Sequence, residues 1–117
     1  MLLTDKIGVI FGVANKRSIA WACAQACAAQ GAKLAFTYQA DRLKENVEDL
    51  AATLDGSMVV QCDVSDQATV DAAFEAIGKK YGKIDFIVHS IAFAPKEALE
   101  GEYVATTREA FRTALEI

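Results

Sequence analysis

An apolar run, a glycine turn and the start of a helix follow one another near the N-terminus, a combination that can bind phosphate. Residues 7–11 are a short apolar run within a predicted strand, Gly12 allows a sharp turn, and a helix of small residues begins at Ile19. The free backbone N–H groups and the dipole at a helix N-terminus favour an anion. Ser18 can cap this helix or donate its hydroxyl to a phosphate oxygen. Residues 12–20 are therefore a candidate nucleotide site.

The same stretch also fits a connection that binds nothing. It contains only the first glycine of the dinucleotide-binding pattern G-x-G-x-x-G, and Lys16 lacks the surrounding sequence of a Walker phosphate loop. An ordinary strand-to-helix connection stays open as the alternative, so the segments that follow the other strands must decide.

Polar residues follow the second and third predicted strands. Gln39 could hydrogen-bond a ribose hydroxyl without repelling a phosphate, and Arg42 could tolerate the extra phosphate of NADP. Asp63 could accept a hydrogen bond from an adenine amino group, while the Val64 backbone N–H reaches a ring nitrogen. The alternatives are polar surface after a strand and a carboxylate that only begins a loop. These residues leave the choice between NADH and NADPH open.

The segment after the fourth predicted strand combines the only histidine with an apolar run. His89 would be the obvious general base, but it has no evident carboxylate or nucleophile partner, so we favour a structural role. Ile91, Ala92 and Phe93 are apolar, which suits a hydride-transfer pocket that excludes water.

Four strands alternate with four helices in the hydrophobic pattern. The strands are predicted at residues 6–11, 33–38, 57–62 and 84–89, and the helices at 19–30, at 40–54, from a cap at Ser65 or Asp66 to Tyr81, and onward from a cap at Thr106 or Thr107. Apolar strands that alternate with helices are typical of a parallel sheet covered on both faces. We expect an α/β fold with a Rossmann-type doubly wound sheet, three α/β/α layers and strand order 3-2-1-4.

The last predicted helix is amphipathic. Its apolar residues are expected to face inward: Ala110, Phe111, Ala114 and Leu115. The sequence stops within this helix, without a terminating glycine or proline, which suggests a portion of a longer protein.

Composition narrows the class of protein. The 117 residues suit one domain, and a net charge of −4 without a basic stripe argues against nucleic acid as a partner. No apolar run approaches the ~20 residues of a membrane helix, and no signal peptide is visible, so we expect a cytoplasmic protein that does not bind a membrane. The three cysteines are interpreted as reduced apolar side chains, not as metal ligands.

Four segments together resemble bacterial enoyl-[acyl-carrier-protein] reductase, a divergent branch of the short-chain dehydrogenase/reductase superfamily. The segments are residues 12–20 (GVANKRSIA), 35–39 (AFTYQ), 61–64 (QCDV) and 89–95 (HSIAFAP). The resemblance extends over essentially the whole chain. It departs from the pattern at Phe11, where the superfamily usually has threonine, and at Ala92, where many members of the branch have glycine.

The resemblance implies a role for individual residues. Those implied to bind the cofactor are Gly12, Ser18 and Ile19 at the pyrophosphate and nearby ribose, Gln39 at the adenosine ribose, Asp63 and Val64 at adenine, and Ile91 at the nicotinamide ribose. Ala94 is implied to touch the acyl substrate through its backbone. The glutamine is similar to that of the NADH-using members, so NADH is the implied cofactor.

The resemblance also implies a reaction and an assembly. NADH would deliver hydride to C3 of a trans-2-enoyl thioester carried by acyl-carrier protein in fatty acid biosynthesis, and the enzyme would be a homotetramer. The family's catalytic tyrosine and lysine would lie beyond residue 117, since Tyr38, Tyr81 and Tyr103 do not match their pattern. No catalytic residue is therefore assigned, and residues 1–117 are interpreted as the dinucleotide-binding Rossmann domain, the N-terminal half of a longer single-domain enzyme.

Two other functions remain open. A reductase that acts on a ketone would share the superfamily fold, but it would be expected to carry Asn-Ala-Gly after the fourth strand and a glycine-rich first loop, which this sequence lacks. A non-catalytic nucleotide-sensing Rossmann domain would share the fold as well.

Overall fold

A computed structural model describes residues 1–117 as one parallel sheet with helices on both faces. The strands are β1 (Ile7–Phe11), β2 (Lys33–Tyr38), β3 (Met58–Gln61) and β4 (Phe86–His89). The helices are α1 (Ile19–Ala29), α2 (Asp41–Ala51), α3 (Gln67–Tyr81) and α4 (Arg108–Glu116). Two short 3-10 helices, Lys96–Leu99 and Tyr103–Ala105, lie between β4 and α4. The sheet order is β3-β2-β1-β4 with every pair parallel, which confirms the predicted topology.

The two faces of the sheet carry separate apolar cores. On the face covered by α1 and α2, Trp21 packs against Phe36 with ring centroids 5.8 Å apart, and Ile10 is fully buried among them. On the α3 face, Val9 and Ile77 are fully buried. Neighbouring residues of β1 thus point into opposite cores, which explains why this strand is apolar throughout. The three-layer α/β/α fold is confirmed.

The ends of the elements follow from local hydrogen bonds. Of the two predicted caps for α3, Asp66 is the one used, since its carboxylate accepts from the Ala68 N–H at 3.1 Å. Thr107 caps α4 in the same way, accepting from the Ala110 N–H at 3.1 Å. Helix α2 ends at Ala51, earlier than predicted, because the Thr53 and Leu54 N–H groups donate to carbonyls three residues back. The Ser57 hydroxyl also donates to the Ala51 carbonyl, at 2.6 Å.

Helix α4 corrects the prediction that its apolar face is buried. Ala110 is buried, but Phe111 is 48% exposed and Leu115 is 72% exposed. Among residues 1–117 the sheet has no strand beyond β4 for this face of the helix to cover. The amphipathic pattern predicted the helix correctly but not the burial of these two side chains.

Tyr81 has the structural role that its position on the inner face of α3 predicts. Its hydroxyl can donate to the carbonyl of Gly56 at 2.5 Å or to that of Leu34 at 3.3 Å. The bond ties the end of α3 to the loop before β3 and to the central strand β2. Tyr81 therefore lies at the amino-terminal side of the sheet, away from the strand ends that a ligand would approach.

Candidate functional site

The carboxyl ends of the four strands open onto one cavity of about 400 Å³. Five of the residues predicted to bind a cofactor line it: Gly12, Gln39, Asp63, Val64 and Ile91. They come from four different connections that lie far apart in the sequence. Parallel strands bring them to one edge, as expected for the ligand site of an open α/β sheet.

Three predicted site residues do not line this cavity. Ile19 is 77% exposed at the start of α1. Ser18 lies in the turn before it, and Ala94 is half-buried in the segment after β4. Ser18 and Ile19 lie next to the turn that borders the cavity. They could therefore contact a ligand only at the edge of the cavity.

The Ser18 hydroxyl braces the turn and does not cap the helix. Ser18 occupies the N-cap position of α1, but its side chain makes no cap hydrogen bond. Its Oγ instead accepts from the N–H groups of Ala14 at 3.0 Å and Asn15 at 3.2 Å. The capping alternative is therefore wrong, because the turn offers the hydroxyl two donors at once. With both acceptor positions in use, the O–H is left as a donor.

The first turn of α1 keeps backbone donors for a ligand. The N–H groups of Ile19 and Ala20 donate to no other group of the chain. The intrahelical ladder starts only at Trp21, whose N–H donates to the Ser18 carbonyl at 3.1 Å. Two free amides and a free hydroxyl donor at a helix N-terminus are the features that bind phosphate oxygens.

Gly12 allows the turn and the segment after β4 to approach each other. Its φ is +104°, and a Cβ placed on it would lie 2.0 Å from the Ser90 carbonyl oxygen. Ser90 in turn donates its N–H to the Phe11 carbonyl at 3.3 Å. Only glycine tolerates both the backbone conformation and the contact at this position. Gly12 therefore allows the turn after β1 and the segment after β4 to line the same cavity.

The opposite side of the cavity holds the polar ends of β2 and β3. The Gln61 amide donates to the Gln39 carbonyl at 2.8 Å, which joins the two strand ends. Asp63 accepts from the hydroxyl and the N–H of Ser65. These two bonds lower the pKa of Asp63 below its ordinary value, with a smaller effect from the Gln39 side chain. The Val64 N–H donates to no group of the chain.

His89 stands apart from this arrangement. Its ring centroid lies 6.3 Å from that of Phe11 on the α3 side of the sheet, and the residue is not part of the cavity lining. The apolar side of the cavity is formed instead by Ile91, Ala92 and Phe93. No group of three or more His, Cys, Asp or Glu side chains is arranged to hold a metal ion. No helix has the length and apolar character that crossing a membrane requires.

Sequence reasoning missed several residues that support the site. The predicted strand order places β4 beside β1, but it does not show that the Ser90 carbonyl contacts Gly12. The Asp63-x-Ser65 spacing is a recognisable turn signal. No sequence signal points to the bond between Gln61 and the Gln39 backbone.

The parallel sheet and the cavity at its carboxyl edge define an α/β domain of the Rossmann type. A family model described as enoyl-(acyl carrier protein) reductase matches residues 12–117. The chain belongs to the enoyl-(acyl carrier protein) reductase family.

Individual relatives agree with this assignment. The chain is 52% identical to enoyl-[acyl-carrier-protein] reductase [NADH] 1 of Rhizobium meliloti, over 99% of this chain and 43% of that protein. It is 50% identical to the NADH enzyme of Escherichia coli, over 98% of this chain and 44% of that protein. The chain therefore spans less than half the length of these relatives.

Solved structures of the family share the fold. The enzyme of Anaplasma phagocytophilum, solved in complex with NAD, superposes with a TM-score of 0.93 at 44% identity, covering 100% of this chain and 45% of that one. The enzyme of Bacillus cereus, solved with NADP+ and an indole naphthyridinone, gives a TM-score of 0.93 at 47% identity, covering 99% and 46%.

Replacing Gly12 by alanine tests the contact that unites the cavity. We expect Gly12→Ala to lower the free energy of unfolding by at least about 2 kcal/mol, because of the positive φ and the clash with Ser90. Gly78→Ala is the matched control, since that helical glycine has no atom within 4 Å of an added Cβ. Gly78→Ala should raise the free energy of unfolding by about 1 kcal/mol. Urea denaturation of both variants measures these changes. Changes of the same sign and size in the two variants would contradict the prediction.

Proposed function

We propose that residues 1–117 are the dinucleotide-binding Rossmann domain and the N-terminal half of a longer single-domain enoyl-[acyl-carrier-protein] reductase, and that this half binds NADH. The observation that carries the proposal is one cavity that is lined both by the glycine turn at the start of α1, which can bind phosphate, and by Asp63, whose carboxylate can accept a hydrogen bond from adenine. The relatives' names, with NADH as cofactor, support it.

The pyrophosphate would lie at the start of α1. Gly12 keeps side-chain atoms away from it, the Ile19 N–H is free to donate, and the Ser18 hydroxyl has only its donor left. The positive end of the helix dipole adds a favourable field for the phosphate charge. These features support the roles that the resemblance implies for the three residues.

The adenosine would lie across the ends of β2 and β3. The Gln39 side chain, which also lies beside Asp63, would turn to a ribose hydroxyl, and its backbone is held by Gln61. Asp63 would accept from the adenine amino group, while the free Val64 N–H would donate to a ring nitrogen. Asp41 and Arg42 follow in the first turn of α2, and their opposite charges do not by themselves select between NADH and NADPH. The relatives' names favour NADH.

The nicotinamide and the substrate would lie along the segment after β4. Ile91 borders the cavity where the nicotinamide ribose would lie, and the Ala94 backbone would contact the acyl chain. When bound, NADH supplies the hydride for C3 of a trans-2-enoyl thioester on acyl-carrier protein. Apolar neighbours such as Phe93, which is 51% exposed in the free chain, would help to exclude water from that region once ligands cover them. The resemblance implies that a tyrosine and a lysine of the full-length enzyme would stabilise the negative charge on the thioester oxygen.

We also infer a homotetramer in the cytoplasm. The exposed apolar side chains of Phe111 and Leu115 on α4 support a contact with another subunit. The three free thiols, Cys23, Cys27 and Cys62, are compatible with a reducing compartment. Light scattering of the full-length protein would test the oligomeric state.

Removing the Ser18 hydroxyl should weaken NADH binding. Ser18→Ala leaves two turn N–H groups without an acceptor and removes one donor to phosphate, so we expect the dissociation constant to rise about tenfold. Ser57→Ala is the control, because it removes a hydroxyl bond at the far end of the sheet and should leave the affinity unchanged. Fluorescence titration of NADH measures both. Equal affinities for Ser18→Ala and the unmodified protein would contradict the assigned role.

Turnover by the full-length protein tests the reaction itself. We expect NADH oxidation with a trans-2-enoyl thioester and none with a 3-ketoacyl thioester of the same chain length. Oxidation with the ketoacyl compound alone would instead indicate a ketone reductase. NADH binding without turnover of either would indicate a nucleotide-sensing domain.

A further inference from the structure

One side chain, Thr69 in the first turn of α3, holds the backbone of Asp63 on both sides. The Asp63 N–H donates to the Thr69 Oγ1 at 2.9 Å. The Thr69 hydroxyl can itself donate to the carbonyl oxygen of Asp63 or to that of Asp66, both at 2.8 Å. The Asp63 main chain is therefore fixed to a helix and does not move as part of a free loop.

The Asp63 side chain is held separately by Ser65. The Ser65 N–H and hydroxyl donate to the same carboxylate oxygen, Oδ1, at 3.0 and 2.6 Å. Both bonds end on Oδ1, which leaves Oδ2 free of the Ser65 bonds. The carboxylate has a defined orientation before any ligand enters the cavity that it lines.

An oriented, ionised carboxylate selects ligands by hydrogen-bond type. The donors on Asp63 lower its pKa, so near neutral pH it carries a charge and can only accept hydrogen bonds. A purine with a 6-amino group supplies a donor, whereas a purine with a 6-oxo group brings a second acceptor to the same place. A carboxylate with a fixed orientation therefore favours a 6-amino purine over a 6-oxo purine.

We propose that Ser65 and Thr69 are positioning residues that hold Asp63 as a fixed acceptor and thereby make the site specific for a 6-amino purine. The inference rests on the proposed function and adds the residues that determine which base the cofactor carries. Neither residue would contact the cofactor through its own hydroxyl, since both hydroxyls are engaged with Asp63.

The test compares NADH with its hypoxanthine analogue, in which an oxo group replaces the amino group and the adjacent ring nitrogen, N1, carries a proton. In the full-length protein, the unmodified site should have a KM at least about 10 times lower for NADH, because the analogue loses the hydrogen bond to the charged Asp63 and also the ring-nitrogen acceptor for the Val64 N–H. Thr69→Val keeps the shape of the side chain and removes its hydroxyl. We expect it to reduce this preference about three- to tenfold through KM, with kcat unchanged.

Three further variants separate positioning from a general structural effect. Thr69→Ser keeps the hydroxyl and should keep the preference for NADH over the hypoxanthine analogue. Thr53→Val removes a comparable hydroxyl bond, to the Leu50 carbonyl at 2.7 Å and remote from the cavity, and should leave the preference unchanged. Ser65→Ala removes one side-chain bond to Asp63 and should lower the preference in the same direction as Thr69→Val.

The outcomes distinguish the inference from the function on which it depends. If the unmodified protein uses NADH but does not prefer it over the analogue, the inference is wrong. It is also wrong if Thr69→Val or Ser65→Ala keeps the full preference. If the unmodified protein neither binds nor oxidises NADH, the proposed function fails, and the inference fails with it.

Discussion

The close approach of two backbone segments at Gly12 is the constraint on which the site depends. The turn after β1 meets the segment after β4 so tightly that a methyl group on Gly12 would lie 2.0 Å from the Ser90 carbonyl oxygen. The contact brings the free amides of α1 to the same cavity as the apolar segment that contains Ile91. A phosphate site and an apolar pocket therefore share one edge of the sheet.

Hydrogen bonds at the other two strand ends complete that edge. Gln61 joins β3 to the Gln39 backbone, and Ser65 with Thr69 holds Asp63. Most of these bonds are between groups at the surface, so each contributes only modestly to stability. Their main effect is geometric, because they fix acceptors and donors before a ligand binds and so reduce the ordering that binding requires. The site is pre-organised by short polar contacts on a rigid apolar sheet.

The fold could be predicted from sequence because buried parallel strands have a distinctive apolar pattern. Residues 33–38 were located with their observed bounds, and the topology placed five candidate residues around one cavity. The pattern did not indicate that the Ser18 hydroxyl accepts from the Ala14 and Asn15 N–H groups instead of capping α1, since both kinds of bond are local. It also could not predict the exposure of Phe111, because amphipathicity defines an apolar face without stating what covers it. The bond from Gln61 to Gln39 joins residues on neighbouring strands, and no periodicity encodes it.

A crystal structure of the full-length protein with NADH bound tests the central claim most directly. The account predicts the pyrophosphate over the Ile19 N–H with the Ser18 hydroxyl donating to it, and the adenine amino group on Asp63. The Ser18 bonds to Ala14 and Asn15 should persist in that complex. A dinucleotide bound away from the carboxyl edge of the sheet would contradict the account. So would an adenine ring that turns its amino group away from Asp63.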